Sequence, residues 1–227
     1  MALQSCSLID YPGRVACVFF LTGCNLACPY CHNPELARGL DDPHLVSRDE
    51  ALRHLERRRG LVKGVVLSGG EPTLYDDLPA LARDIHARGC LVKLDTNGTN
   101  PDRIRAVGAD YVALDLKTSP ARYRELWPGA PADAAERIRE SLRVVRSLGV
   151  PYELRVTCAP GFVDESDASA MACLLSEGDD VVVQRYRSDR VLDPEWAAAA
   201  VAPTEAELGR ILSILRQAAP KARIRGT

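Results

Sequence analysis

A chain of 227 residues is long enough for one substantial core, and 46% hydrophobic with 26% charged residues exclude a disordered or fibrous protein. The formal net charge of −2 gives no reason to expect nucleic acid or an anionic membrane as partner. The most apolar early stretch, 15–21, is too short to cross a bilayer and lacks the flanks of a secretory signal, so a cytoplasmic location with reduced thiols is expected.

Six short apolar, β-branched runs follow one another along the chain, at 15–22, 64–68, 91–95, 111–115, 152–157 and 180–185. Their near-continuous hydrophobicity suits strands covered on both faces, as in a parallel sheet. Between the first two, 47–59 opens with a capping-box pattern, Ser47 followed by Glu50, and sets Ala51, Leu52 and Leu55 on one side of a helix. Segments 76–88 and 133–148 have helical periodicity and stop at Gly89 and Gly149. Segments 167–176 and 204–218 complete the predicted helices. Alternating strands and helices imply an α/β fold with right-handed crossovers, either an open sheet or a partial barrel. With no linker, repeat or low-complexity tract, one domain spanning 1–227 is expected.

Polar residues collect where these strands end. Ser68-Gly69-Gly70-Glu71 follows the second run, Asp95-Thr96-Asn97-Gly98 the third and Asp115-Leu116-Lys117 the fourth. Arg155 lies within the fifth, and Gln184-Arg185 ends the sixth. Parallel α/β folds place their sites at that edge.

Of the eight cysteines, Cys6, Cys17, Cys90, Cys158 and Cys173 are scattered and read as small hydrophobes. The other three form Cys24-x3-Cys28-x2-Cys31 directly after the first strand. Three thiolates on one short loop can wrap a soft metal centre, and on a four-iron cluster they leave one iron free for a ligand. The same spacing leaves open a structural zinc site with His32 as fourth ligand. The glycine pair at Gly69-Gly70 could be a plain turn, and Asn97-Gly98 another. Asp115 and Lys117 point to one side of an extended chain, as a salt-bridged strand end also would. A buried Arg155 needs a partner, either an internal acid or a ligand carboxylate.

The cysteine motif, with Tyr30 before its third cysteine, resembles the radical S-adenosylmethionine signature. Ser7-Leu8-Ile9-Asp10-Tyr11-Pro12-Gly13 and Cys31-His32-Asn33-Pro34-Glu35 resemble flanks in proteins that activate glycyl radical enzymes. Within these the chain looks most similar to activators of anaerobic ribonucleoside-triphosphate reductase, then to pyruvate formate-lyase activases. The likeness covers about 7–187 and leaves the helix at 204–218 uncommitted. It implies a partial (β/α)6 TIM-like barrel holding one [4Fe–4S] cluster on Cys24, Cys28 and Cys31. It further implies reductive cleavage of S-adenosylmethionine to a 5′-deoxyadenosyl radical, which takes a hydrogen from a glycine of a large partner enzyme.

By the same resemblance Tyr30 and Asn33 lie near the adenine, and Gly69, Gly70 and Glu71 hold the methionine ammonium group. Asp95, Asn97, Asp115, Lys117 and Arg155 border the cofactor or substrate, and a flavodoxin or ferredoxin-type protein supplies electrons. No residue is assigned as catalytic. Gln184-Arg185-Tyr186-Arg187 stands where pyruvate formate-lyase activases carry a His, which favours the reductase partner. The rivals are a radical enzyme acting on a small molecule, such as a deazaguanine-forming synthase, and a non-catalytic zinc module. His44, His54 and His86 have no partners at ligand spacing, and Trp127 and Trp196 read as packing residues.

Overall fold

The computed structural model describes residues 1–39 and 45–225, so His44 lies outside the described residues. One eight-stranded sheet runs in chain order: β1 (Ala2–Ser7), β2 (Ala16–Leu21), β3 (Gly64–Gly69), β4 (Leu91–Thr96), β5 (Tyr111–Leu116), β6 (Tyr152–Cys158), β7 (Val181–Arg185) and β8 (Arg223–Ile224). β1 is antiparallel to β2, and every later neighbouring pair is parallel. The six predicted strands are β2 to β7, curled into a partial TIM-like barrel with β1 and β8 as its two edges.

Helices connect the strands: α1 (Pro34–Arg38), α2 (Arg48–Arg57), α3 (Leu78–His86), α4 (Pro101–Val107), α5 (Tyr123–Leu126), α6 (Ala134–Ser147), α7 (Glu165–Ala172), α8 (Pro194–Ala199) and α9 (Glu205–Arg216). The Ser47–Glu50 capping box forms as read. A second one, Asp164 with Asp167, starts α7 ahead of the predicted 167. The unpredicted helices α1, α4, α5 and α8 are too short to show a period, and α1, α4 and α8 each begin with proline.

Strand alternation sorts the side chains into two environments. Val92, Leu94, Val112, Leu114, Leu116, Leu154, Val156, Val181 and Val183 face the helices and form the main core with residues such as Ile85, Ile138 and Leu142. The positions between them turn to the barrel's inside, where Tyr11, Ala16, Val18 and Val66 form a small apolar floor. Above that floor the interior is polar. Leu208, Ile211, Leu212 and Leu215 of α9 join the main core, packed against α7 and β7.

Candidate active site at the strand ends

The cysteine loop leaves β2 through Gly23, whose positive φ of 81° turns the chain, and its N–H donates to the Leu36 carbonyl at 2.6 Å. Tyr75 holds the root of the loop, its hydroxyl donating to the Thr22 carbonyl at 2.7 Å. Burial pushes the Cys24 thiol up to about 11 and the Cys28 thiol up to about 12. Thiols in such surroundings ionise when a metal centre's positive charge holds them. Two donors already point at Cys24 Sγ: the Leu26 N–H at 3.4 Å and Asn97 Nδ2 at 3.9 Å. Tyr30 is buried, which raises its pKa well above the phenolic value, and its hydroxyl donates to the Lys117 carbonyl at 2.9 Å.

The glycine pair serves a contact that sequence does not show. A Cβ on Gly70 would lie 1.9 Å from the Gly23 carbonyl oxygen, and one on Gly69 would lie 2.3 Å from that of Leu21. The bare backbone is therefore needed to seat this turn against the root of the cysteine loop. The Glu71 N–H completes the seat, donating to the Gly23 carbonyl at 2.8 Å.

Glu71 also has partners within the protein that the sequence does not show. It is 1% exposed, and its oxygens accept from the Thr73 N–H at 3.1 Å, Thr73 Oγ1 at 2.6 Å, Thr96 Oγ1 at 2.8 Å and the Asn97 N–H at 2.7 Å. Burial raises its pKa, and these four donors oppose that rise. Asn97 passes the connection on, with Nδ2 donating to Asn25 Oδ1 at 3.0 Å. Glu71 thus ties together the loops that follow β2, β3 and β4.

Arg155 finds two internal acids as partners. Nε donates to Asp115 Oδ1 at 2.6 Å and Nη1 to Asp95 Oδ2 at 3.1 Å. Lys117 Nζ reaches Asp115 Oδ2 at 2.9 Å, and Lys93 Nζ pairs with Asp95 Oδ1. The result is a chain of alternating charge, Lys93–Asp95–Arg155–Asp115–Lys117, across β4, β5 and β6. Burial pulls the pKa of both aspartates upward, but Arg155 with Lys93 or Lys117 outweighs it and holds both below the usual carboxylate range. Burial likewise pulls Lys117 down, and Asp115 more than reverses it. Three cations against two anions leave the chain with one net positive charge.

One cavity of about 310 Å³ gathers the site. Cys24, Cys28, Tyr30, Cys31, Asn33, Gly69, Gly70, Glu71, Asp95, Asn97, Asp115, Lys117 and Arg155 all border it. So do Ser68 and Gln184, already placed at the strand ends, and Asp10 and Thr157, which sequence reasoning did not nominate. Period-two spacing could have found Thr157 from Arg155, and the buried Lys93 from Asp95.

The three thiols fit a cluster. They share one cavity, and donors converge on Cys24, as is usual around metal-bound thiolate. A zinc ion would need three thiols and an imidazole converging on one point. His32 Nδ1 instead lies 3.1 Å from the Arg190 carbonyl oxygen, so the imidazole is engaged outside the cysteine set.

A model of the radical SAM superfamily matches residues 18–172. A Methanocaldococcus jannaschii protein named as a glycyl-radical enzyme activating enzyme is 32% identical over 219 residues, 93% of this chain and 89% of that protein. Pre-heme d1 synthase of Dinoroseobacter shibae is 31% identical over 169 residues, and there the match spans 72% of this chain but 40% of the relative. Among solved structures, a radical SAM methyltransferase from Sphaerobacter thermophilus aligns with a TM-score of 0.67 at 19% identity, over 95% of this chain and 67% of that one. Streptococcus suis SuiB bound to S-adenosylmethionine aligns at 0.66 and 16% identity, over 92% and 48%. At those identities the structural likeness speaks to the fold.

Proposed function

Since the chain belongs to the radical S-adenosylmethionine superfamily, whose members use a [4Fe–4S] cluster and S-adenosylmethionine, we propose that it activates a glycyl radical enzyme, most specifically an anaerobic ribonucleoside-triphosphate reductase. The cluster, when bound, supplies the electron that breaks a carbon–sulfur bond of S-adenosylmethionine, and the adenosyl fragment then takes hydrogen from a glycine Cα of the partner. The carrying observation is the shared cavity: three thiols, the glycine turn and Asp95, Arg155, Asp115 and Lys117 of the charge chain all border one space.

Cys24, Cys28 and Cys31 would hold the cluster, leaving one iron without a protein ligand. The net positive charge chain suits the carboxylate of the methionine moiety, with Lys117 at its outer end. Tyr30 and Leu26 provide apolar wall that keeps water from the reacting atoms. The open side between β1 and β8 leaves room for a partner's loop to approach. A flavodoxin or ferredoxin-type protein is the electron donor in this reading.

Anaerobic reconstitution should give about four irons and four sulfides per chain, and dithionite with S-adenosylmethionine should release 5′-deoxyadenosine. Zinc without iron or sulfide would sink the reading. Incubation with an anaerobic ribonucleotide reductase and, separately, a pyruvate formate-lyase then identifies the partner by a glycyl radical signal. A signal on the lyase alone would overturn the choice of reductase, and deoxyadenosine formation without either signal would point to a small-molecule substrate.

A further inference from the structure

The chain that follows β7 lies outside the residues matched by the superfamily model, yet it is fastened to the cysteine loop along its length. The Asp193 N–H donates to the Pro29 carbonyl at 3.0 Å. The Arg190 carbonyl meets His32 Nδ1 at 3.1 Å, and the Leu192 carbonyl accepts from Arg38 Nη2 at 2.9 Å. Arg190 also pairs with Glu35 at 2.7 Å. Val191 is buried in one apolar cluster with Leu26 and Cys28. On α8, Trp196 stands 6.2 Å from Tyr30, 6.0 Å from Phe162 and 5.4 Å from Tyr186, ring centre to ring centre.

We infer that residues 187–199 clamp the cysteine loop, and that Trp196 is a positioning residue for the metal centre, acting through Tyr30. Tyr30 lies between Cys28 and Cys31, and its hydroxyl ends on the Lys117 backbone. A ring that fixes Tyr30 therefore fixes the spacing of two thiols relative to the charge chain. The clamp also sets the apolar side chains of Val191 and Trp196 in one cluster with Leu26, Cys28 and Tyr30 of the loop. Packing alone would leave Trp196 a core residue; its contact with the motif's own aromatic, together with the bonds at the Pro29 carbonyl and the His32 ring, makes it part of the metal site's support. The inference rests on the cluster reading given above.

The test compares wild type with Trp196→Ala and Trp196→Phe, each reconstituted anaerobically, with folding checked by circular dichroism. The readouts are iron per chain and the rate at which the visible cluster absorbance bleaches in air-equilibrated buffer. Trp196→Ala should take up less iron or bleach about tenfold faster, as supporting residues around metal ligands do, and Trp196→Phe should recover most of the difference. Full iron and a wild-type bleaching rate in Trp196→Ala would overturn the clamp. Should Trp196→Ala fail to fold, Glu35→Ala with Arg190→Ala opens the same clamp at its exposed salt bridge, and an unchanged rate there counts equally against it. A wild type that binds no iron or sulfide is a different result, refuting the cluster reading itself.

Discussion

Glu71 shows how much one side chain's environment adds to what its neighbours in sequence reveal. The sequence makes it a carboxylate beside a glycine pair, and its burial among four donors makes it a brace between three loops. Glu71→Gln keeps the shape but turns two amide hydrogens on groups that are themselves donors. It should cost about 2 kcal/mol in urea unfolding of the metal-free protein, and an unchanged midpoint would remove the brace. Arg155 was legible as a buried cation needing a partner; which partner was not, because that depends on strand register. Register sets Asp115 beside Arg155 and Asp95 one strand further on. Arg155→Met should cost about 2 kcal/mol, since it leaves the half-buried Asp95 and Asp115 with only Lys93 and Lys117 as partners. Both aspartates have folded pKa values depressed below their unfolded ones, so their stabilisation is complete above the unfolded carboxylate range and is lost as pH falls through the folded values. Without Arg155 the depression shrinks, with Lys93 and Lys117 still lowering the two carboxyls, and the variant's acid transition should begin at higher pH. Urea midpoints between about pH 1 and 6 for both proteins check this, and parallel profiles would count against it.

At the scale of elements, legibility followed length and hydrophobicity. β2 to β7 were readable because both of their faces are covered, so few polar residues interrupt the apolar runs. β1 was not, because its middle, Gln4, Ser5 and Cys6, is exposed and only pairing with β2 makes it a strand. The glycines divide in the same way, by contact rather than by motif. Gly70→Ala would press a methyl group into the Gly23 backbone and so displace the cysteine loop. A loss of about 2 kcal/mol together with reduced iron uptake is expected. Gly209, exposed within α9, has open space where a Cβ would stand and carries no such duty. Gly209→Ala should stabilise by about 1 kcal/mol through helix propensity, with iron uptake unchanged. Thermal and urea unfolding of the two variants give opposite signs if contacts decide, and the same sign if glycine content alone does.

For the whole molecule, an open barrel poses a problem that a closed one does not: its polar interior must be satisfied near an edge. The last described strand meets part of that need. β8 pairs with β7, and the Arg225 N–H beyond it donates to the Val183 carbonyl at 2.9 Å. From there the Arg225 side chain reaches Glu153, a carboxylate only 2% exposed that projects from β6 into the interior near Tyr111. Neither β8 nor this pair could be read from sequence, since two residues carry no period and the partners stand 72 positions apart. If the pair matters to the barrel as a unit, removing the arginine should do more harm than a surface charge would. Arg225 is itself partly exposed, so the expected cost of Arg225→Ala is about 2 kcal/mol, arising mainly from the carboxylate left unpaired inside. Neutralising that carboxylate as well should restore stability, so Arg225→Ala with Glu153→Gln should unfold closer to wild type than Arg225→Ala alone. Urea unfolding of the four proteins in this cycle measures the coupling directly. Additive losses would mean that Glu153 is satisfied from elsewhere, and that the last strand lies against the barrel without completing it.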